Sequence, residues 1–138
     1  MNIDSITNGI VIDHITAGKG MVLYELLHLG ELDCSVALIK NVASQKMGKK
    51  DIIKIDCDIS INFDVIGYVT PEATVNIIRD RKLAEKRTVP VPQTLTNVIF
   101  CKNPRCITSV ERDLDHVFKL NDAENKIYRC LYCDTKAN

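Results

Sequence analysis

Apolar positions along the first 88 residues switch between two periods. The stretch "GIVIDHI" (9–15) is β-branched and apolar and predicts a strand. In "GKGMVLYELLHLG" (18–30), Val22, Leu23, Leu26, Leu27 and Leu29 form a broad stripe at helical spacing, with Gly30 as a natural stop. "CSVALIKN" (34–41) predicts a second strand, "ASQKMGKK" (43–50) a polar loop and "DIIKIDC" (51–57) a third strand. "SINFDVIGYVTP" (60–71) is ambiguous: Ile61, Val65, Ile66 and Val69 fit a short helix, while the β-branched content argues against one. "ATVNIIRD" (73–80) predicts a fourth strand, and "RKLAEKRTV" (81–89) extends the sheet. The order βαββαβ predicts an α+β fold, a ferredoxin-like antiparallel sheet with two helices on one face.

Pro90 and Pro92 in "VPVPQT" then punctuate the chain. Proline lacks an amide donor and stiffens the backbone, so this stretch reads as a short extended linker. The expected division is an N-terminal domain over 1–92 and a C-terminal domain over 93–138. The second is too short to bury enough apolar surface alone and needs a metal or disulfides. "TNVIFC", "DHVFKL" and "KIYRC" are strand-like and predict a small antiparallel β-sheet.

Composition narrows the classes. The chain is 46% hydrophobic and 26% charged, as a packed soluble domain is, and its net charge is zero. That balance weighs against nucleic acid and anionic membrane as partners. No apolar run approaches the roughly 20 residues that span a bilayer. The start "MNIDSITNGIVIDHI" lacks the basic and apolar regions of a secretory signal, so the expected location is cytoplasmic. Structural disulfides are rare there, and paired cysteines read better as metal ligands.

Cys101, Cys106, Cys130 and Cys133 make the pattern C-x4-C-x23-C-x2-C. Each pair has a turn-length gap, so both sulfurs can point to one centre from a tight knuckle, and Pro104 favours the first turn. Four thiolates suit one tetrahedral Zn2+. An iron–sulfur cluster shares the ligand type, but these knuckles favour zinc. Four protein ligands leave no open position, so the zinc is structural. Cys34 and Cys57 stand alone in strand-like segments and read as small buried hydrophobes. His14, His28 and His116 are scattered, and His116 receives no role. No nucleophile–base pair, open metal site or carboxylate dyad marks an enzyme. Residues 101–138 hold seven Lys/Arg and six Asp/Glu. With four thiolates and one Zn2+ the module sits at about −1, a poor match to phosphate backbones and a better one to a protein partner.

Lys54 is a lysine in mid-strand. Alternation puts Ile53, Ile55 and Cys57 on one face and Ile52, Lys54 and Asp56 on the other. It is either a solvated lysine or a cation aimed at an anionic ligand such as a phosphate chain. Asp13 and His14, at the end of the first strand, could meet a sugar or base. No Walker A or GxGxxG sequence is present.

Taken together, "GIVIDHI", "MGKKDIIKI", "PEATVNII" and the cysteine set closely resemble the regulatory chain of aspartate carbamoyltransferase, in the same order and over nearly the whole chain. The resemblance implies a non-catalytic chain of pyrimidine biosynthesis. Its N-terminal domain would bind CTP and ATP, with UTP in some members, and would pair as a regulatory homodimer. Its C-terminal domain would hold one structural Zn2+ and dock the catalytic chain. By motif, the implied nucleotide contacts are Asp4, Ile6, Val11, Asp13, His14, Lys50, Lys54, Asn76, Ile78 and Lys86. Asn76 and Ile78 match base- and ribose-region contacts, and Lys86 a phosphate-binding lysine. The chain departs from the family pattern at Arg81, where a tyrosine is familiar, at Arg105, where an asparagine is, and in ending five residues after Cys133. These departures bear on effector preference and on the strength of allostery. An assembly scaffold with weak effector response is the alternative within the family; a zinc-ribbon nucleic-acid module is the alternative outside it.

Overall fold

A computed structural model of the chain describes residues 6–137. The chain divides into two compact units, Met1–Pro90 and Val91–Asn138. The first contains β1 (Gly9–Thr16), α1 (Gly20–Leu26), a 3-10 turn (Leu29–Glu31), β2 (Val36–Ser44), β3 (Gly48–Ile55), α2 (Phe63–Val69), β4 (Thr74–Arg79) and β5 (Lys82–Thr88). The strands form one antiparallel sheet in the order β2-β3-β1-β4-β5. Its first four strands follow the ferredoxin-like order, and β5 adds an edge by hairpin.

Register decides what each face carries, because residues directly opposite each other share a face. Ile10 opposes Ile55 and Ile77, and Ile12 opposes Ile53 and Val75. Ile12, Ile53, Ile55 and Val75 are completely buried. This is the helix-bearing face. Leu38 opposes Ile53 and abuts Gly20 at the start of α1, while Arg87 opposes Val75 and stacks over the Phe63 ring of α2 at 4.1 Å. Leu23 of α1 and Val65 and Ile66 of α2 are buried. The ambiguous stretch 60–71 thus becomes a helix, opened by the Asn62 side chain, which accepts from the Asp64 amide at 3.0 Å.

Three expectations are corrected. The helix expected over 18–30 stops at Leu26; the His28 amide bonds the Glu25 carbonyl at 3.0 Å, tightening the last turn, and His28 itself turns left-handed (φ 56). Only Leu23 and Leu29 of the stripe are buried, and Val22 faces solvent. The polar loop expected over 43–50 is largely a β-hairpin: β2 runs to Ser44 and β3 starts at Gly48 (φ 79). Polar residues are tolerated there because β2 is an edge strand.

Asp51 organises this corner. Both neighbours of β3 bulge beside it, β1 between Ile12 and Ile15 and β2 between Ile39 and Val42. The carboxylate is fully buried and accepts from the amides of Gly18 (3.1 Å), Gly20 (3.0 Å) and Asn41 (3.0 Å). It therefore ties the start of α1 to the β2 bulge. Gly20 leaves the space: a Cβ there would lie 2.8 Å from Asp51 Oδ2.

The second unit contains β6 (Thr94–Thr96), α3 (Ile107–Val110), β7 (Val117–Asp122) and β8 (Ile127–Cys130), with sheet order β6-β7-β8. Leu95, Phe118 and Tyr128 form its buried centre. The strand expected over "TNVIFC" is not there beyond Thr96. Asn97 takes φ 57 and exchanges bonds with His116, its amide donating to the His116 carbonyl and its side-chain oxygen accepting the His116 amide. The chain leaves the sheet at that point and carries Cys101 into a loop.

Replacing Asp51 with alanine removes the acceptor of three amides, that of Gly20 buried and those of Gly18 and Asn41 partly so. The expected loss is at least about 3 kcal/mol, read as a lower denaturant midpoint for the first unit with its slope unchanged.

Candidate functional site

The second unit gathers the four cysteines. Their sulfurs all lie within 4.8 Å of one another. The short contacts cross between knuckles: Cys101 Sγ is 3.5 Å from Cys133 Sγ, and Cys106 Sγ is 3.7 Å from Cys130 Sγ. Sulfurs at the corners of a tetrahedron about Zn2+ stand about 3.8 Å apart, given Zn–S bonds of about 2.3 Å. The donor set and its spacing therefore fit one zinc ion. Cys101, Cys106 and Cys130 are buried and Cys133 is half-buried, so no coordination position is left for water.

Local structure explains how each knuckle forms. In the first, the Asn103 side chain accepts from the Arg105 amide at 3.1 Å, its carbonyl accepts from the Cys106 amide at 3.0 Å, and Cys106 precedes α3. In the second, Cys130 ends β8 opposite Phe118, and the Asp134 amide closes back on the Cys130 carbonyl at 2.9 Å. Three hydroxyl and imidazole groups surround the sulfurs. The buried Thr108 hydroxyl donates to Cys106 Sγ at 3.1 Å. Thr135 Oγ1 shares a hydrogen bond with Cys133 Sγ at 3.1 Å. His116 Nδ1 accepts the Cys101 amide at 3.2 Å, and its ring meets Phe100 edge-on. Sequence reasoning left these three without a role. His116 lies ten residues beyond the nearest cysteine in sequence, and only the Asn97–His116 pairing brings it to Cys101.

Without an ion the thiols are unequal. Burial pushes the Cys101 thiol up to about 12 and raises Cys130, whereas the Thr135 hydroxyl holds Cys133 down to about 6. Cys133 is the first thiolate. The raised thiols of Cys101 and Cys130 give up their protons to bind a cation, so loading the site releases protons and weakens with acid.

The first unit gathers a different set. Lys54 opposes Val11, Val11 opposes Asn76, and Asn76 opposes Lys86. These four make one row across β3, β1, β4 and β5, on the face away from the helices. At strand spacings of about 4.8 Å the row spans roughly 14 Å. Lys54 is nearly buried, Asn76 half-buried and Lys86 exposed at the edge. Ile6, Val11, Ile52 and Ile78 pack as a buried apolar cluster on the same side, with Val42 against it. Ile6, Val11 and Ile78 are thus buried in the chain's own packing. Lys50 Nζ lies 2.9 Å from Asp13 Oδ1. His14 sits inside β1, not at its end, left-handed at the bulge (φ 58), with Nδ1 3.0 Å from Thr74 Oγ1. Asp4 lies outside the described residues. A cavity of about 410 Å3 opens on the opposite, helix-bearing face, lined by residues that include Ile10, Asp58, Phe63 and Arg87; it takes in none of the row.

Comparison with known proteins decides the family. Residues 1–90 match the family model for the allosteric domain of the aspartate carbamoyltransferase regulatory chain, and residues 93–138 match the model for its metal binding domain. The chain belongs to that family. It is 51% identical over 135 residues to the aspartate carbamoyltransferase regulatory chain of Clostridium tetani, covering 97% of this chain and 94% of the relative. The same-named chain of Clostridium botulinum is 50% identical over 134 residues (97% and 92%), and that of Bifidobacterium longum 42% over 137 residues (99% of each). This is accordingly a regulatory chain and not a catalytic subunit, with an allosteric domain and a metal-binding domain whose four cysteines hold zinc. Zinc supplies a positive centre that cross-links two knuckles; the chain's own residues position the sulfurs. A regulatory chain implies a catalytic partner chain. Among the described residues no helix is long and apolar enough to cross a membrane.

Replacing Thr108 with valine removes the hydroxyl bonded to Cys106. Zinc affinity is expected to fall by about tenfold, measured by competition with a chromophoric chelator, with the zinc-loaded fold retained. Asp13 gives a pH prediction. Burial raises its carboxyl, but the Lys50 ammonium and the His14 amide outweigh this and hold it below its ordinary value of 3.8. A depressed folded-state value stabilises above about pH 4, and that stabilisation is lost as pH falls through the lower value. Asp13→Asn should flatten the acid limb of the first unit's stability against pH below 4, while leaving the neutral-pH slope unchanged.

Proposed function

We propose that the helix-free face of the first unit binds nucleoside triphosphates of the CTP and ATP type, with UTP as a further effector, and that their binding biases the activity of the catalytic chain. The observation that carries this is the row Lys54–Val11–Asn76–Lys86. It offers a cation at each end, an amide between them and an apolar floor beneath, which suits a ligand with a polyphosphate at one end and a base and sugar along its length. In this reading Lys86 takes the phosphates, and Asn76, Ile78 and Val11 lie under the sugar and base. Lys54, Asp13, His14, Lys50, Ile6 and Asp4 complete the pocket. The Lys50–Asp13 pair must open or be shared when an anion arrives.

The second unit docks the catalytic chain. Phe100, Ile107, Val110, Leu131 and Tyr132 are large, apolar and 45–69% exposed, and all but Val110 adjoin a zinc ligand in sequence. Such a surface wants a protein partner, and its charge makes nucleic acid a poor one. The complex is expected in the cytoplasm, with two regulatory chains pairing through their first units. A nucleotide that binds two quaternary states unequally shifts activity by a coupling free energy of about 1–3 kcal/mol, and the catalytic substrates must shift nucleotide affinity by the same factor.

The test is to assemble the chain with its catalytic chain and titrate CTP and ATP. Lys86→Ala and Lys54→Ala should each weaken nucleotide binding by at least about tenfold, while Lys126→Ala in the second unit leaves it unchanged. Equal affinity in all four proteins would overturn the assignment. Extracting zinc with a mercurial should release the catalytic chain and unfold residues 93–138, with the thermal transition of the first unit retained; a complex that stays assembled without zinc would refute the docking role.

A further inference from the structure

Cys34 and Cys57, read from the sequence as separate buried hydrophobes, are neither separate nor fully buried. They are joined as a disulfide, with Cα atoms 6.0 Å apart, and both are half-buried. That Cα separation lies within the range that two cysteines can bridge without moving the backbone. Period-two alternation could not reveal the pair, because each residue lies just outside its strand. Cys34 precedes β2 and Cys57 follows β3, so together they flank the open end of the β2–β3 hairpin. The last ladder pair before the bridge is Val36 opposite Ile55, followed by the Asp56 amide bonding the Ser35 carbonyl at 2.9 Å.

Three features bear on what the pair does. The only group of three or more His/Cys/Asp/Glu able to hold an ion among the described residues is the zinc set in the other unit, so Cys34 and Cys57 have no third such donor beside them there. β2 is the sheet edge, so attacking thiols can approach the half-buried sulfurs. The hairpin keeps its own ladder of register pairs, so breaking the bridge removes a cross-link without removing the pairing. Beyond Cys57 the chain runs directly into Asp58, Ile59, Ser60 and Ile61, which form one wall of the cavity on the helix-bearing face.

We propose that Cys34 and Cys57 form a reversible dithiol–disulfide couple that braces this hairpin and the 58–61 wall, making the first unit sensitive to the thiol–disulfide balance around it. The oxidant is a small-molecule disulfide. One cysteine thiolate attacks a sulfur of that disulfide and expels its first thiol, forming a mixed disulfide. The other thiolate then attacks the protein sulfur of the mixed disulfide and expels the second thiol. Two protein thiols lose two electrons and two protons, and the small disulfide gains them as two thiols. The inference is independent of the nucleotide reading.

Zinc-loaded full-length chain is equilibrated against graded ratios of oxidised to reduced glutathione, quenched in acid, alkylated and digested with trypsin. Cleavage leaves Cys34 within peptide 20–40 and Cys57 within peptide 55–79, each the sole cysteine of its peptide. The expected result is a cross-linked 20–40/55–79 species that grows with the oxidised fraction and is lost on returning to reductant, with the four zinc cysteines recovered as alkylated thiols, free of disulfide, at every ratio. The bridged form should melt roughly 10 °C or more above the reduced form, because closing a loop of this length restricts the unfolded chain. Amide exchange at 58–61 should slow on oxidation. Cys57→Ala should melt at the same temperature in both buffers. Alkylation of both cysteines at every ratio would overturn the proposal, as would a cross-link that resists reductant until the unit unfolds, or equal melting of the two wild-type forms. If the alanine variant does not fold, the wild-type peptide and melting measurements decide the matter alone.

Discussion

The pairing register of β1 is the constraint on which the first unit depends. As the central strand it is hydrogen-bonded on both sides, to β3 and to β4. Side chains alternate with a period of two, so a one-residue slip would carry Ile10 and Ile12 out of the helix-packed core and turn Val11 and Asp13 into it. The same register aligns Lys54, Val11 and Asn76, and β5 adds Lys86 to the row. Core and proposed ligand face are therefore not separate designs. They are the two sides of one set of strand pairings, which explains how a short domain can carry both. The bulges beside Asp51 are where regular pairing is interrupted, and the buried carboxylate there accepts amides that the ladder does not use.

The second unit rests on charge in place of size. Its buried centre is small, and its cysteines converge from two loops that have no strand pairing with each other. Four thiolates gathered this closely would repel, and burial resists the ionisation of Cys101 and Cys130. A divalent cation reverses both effects. The hydroxyls of Thr108 and Thr135 and the imidazole of His116 hold the sulfurs or their backbone in place. The knuckles so fixed also carry most of the exposed apolar side chains, so in the proposed docking role folding and partner recognition are coupled through one ion.

The chain uses cysteine in two chemically distinct ways. In the second unit four sulfurs converge from two knuckles, and the geometry suits a metal. In the first unit two sulfurs meet at the end of a hairpin with no third donor beside them among the described residues, and their Cα separation allows a bond between them. Number and convergence, not residue type, set the outcome.

Much of this was legible without coordinates. Apolar, β-branched runs marked β1, β3 and β4, the cysteine spacing marked the metal site, and the paired prolines marked a break in the chain. These signals are local, since each depends on residues within a turn or a strand of one another. The sequence also singled out Lys54, but left open whether it was solvated or aimed at a ligand. What only the tertiary structure decided were the non-local pairings. It showed that Cys34 meets Cys57, that His116 reaches Cys101, and that Asp51 is a buried acceptor for three amides. The physical reason is the same in each case. A side chain's neighbours across strands or loops are set by register and bulges, and no period along the chain records a partner 10 to 33 residues away.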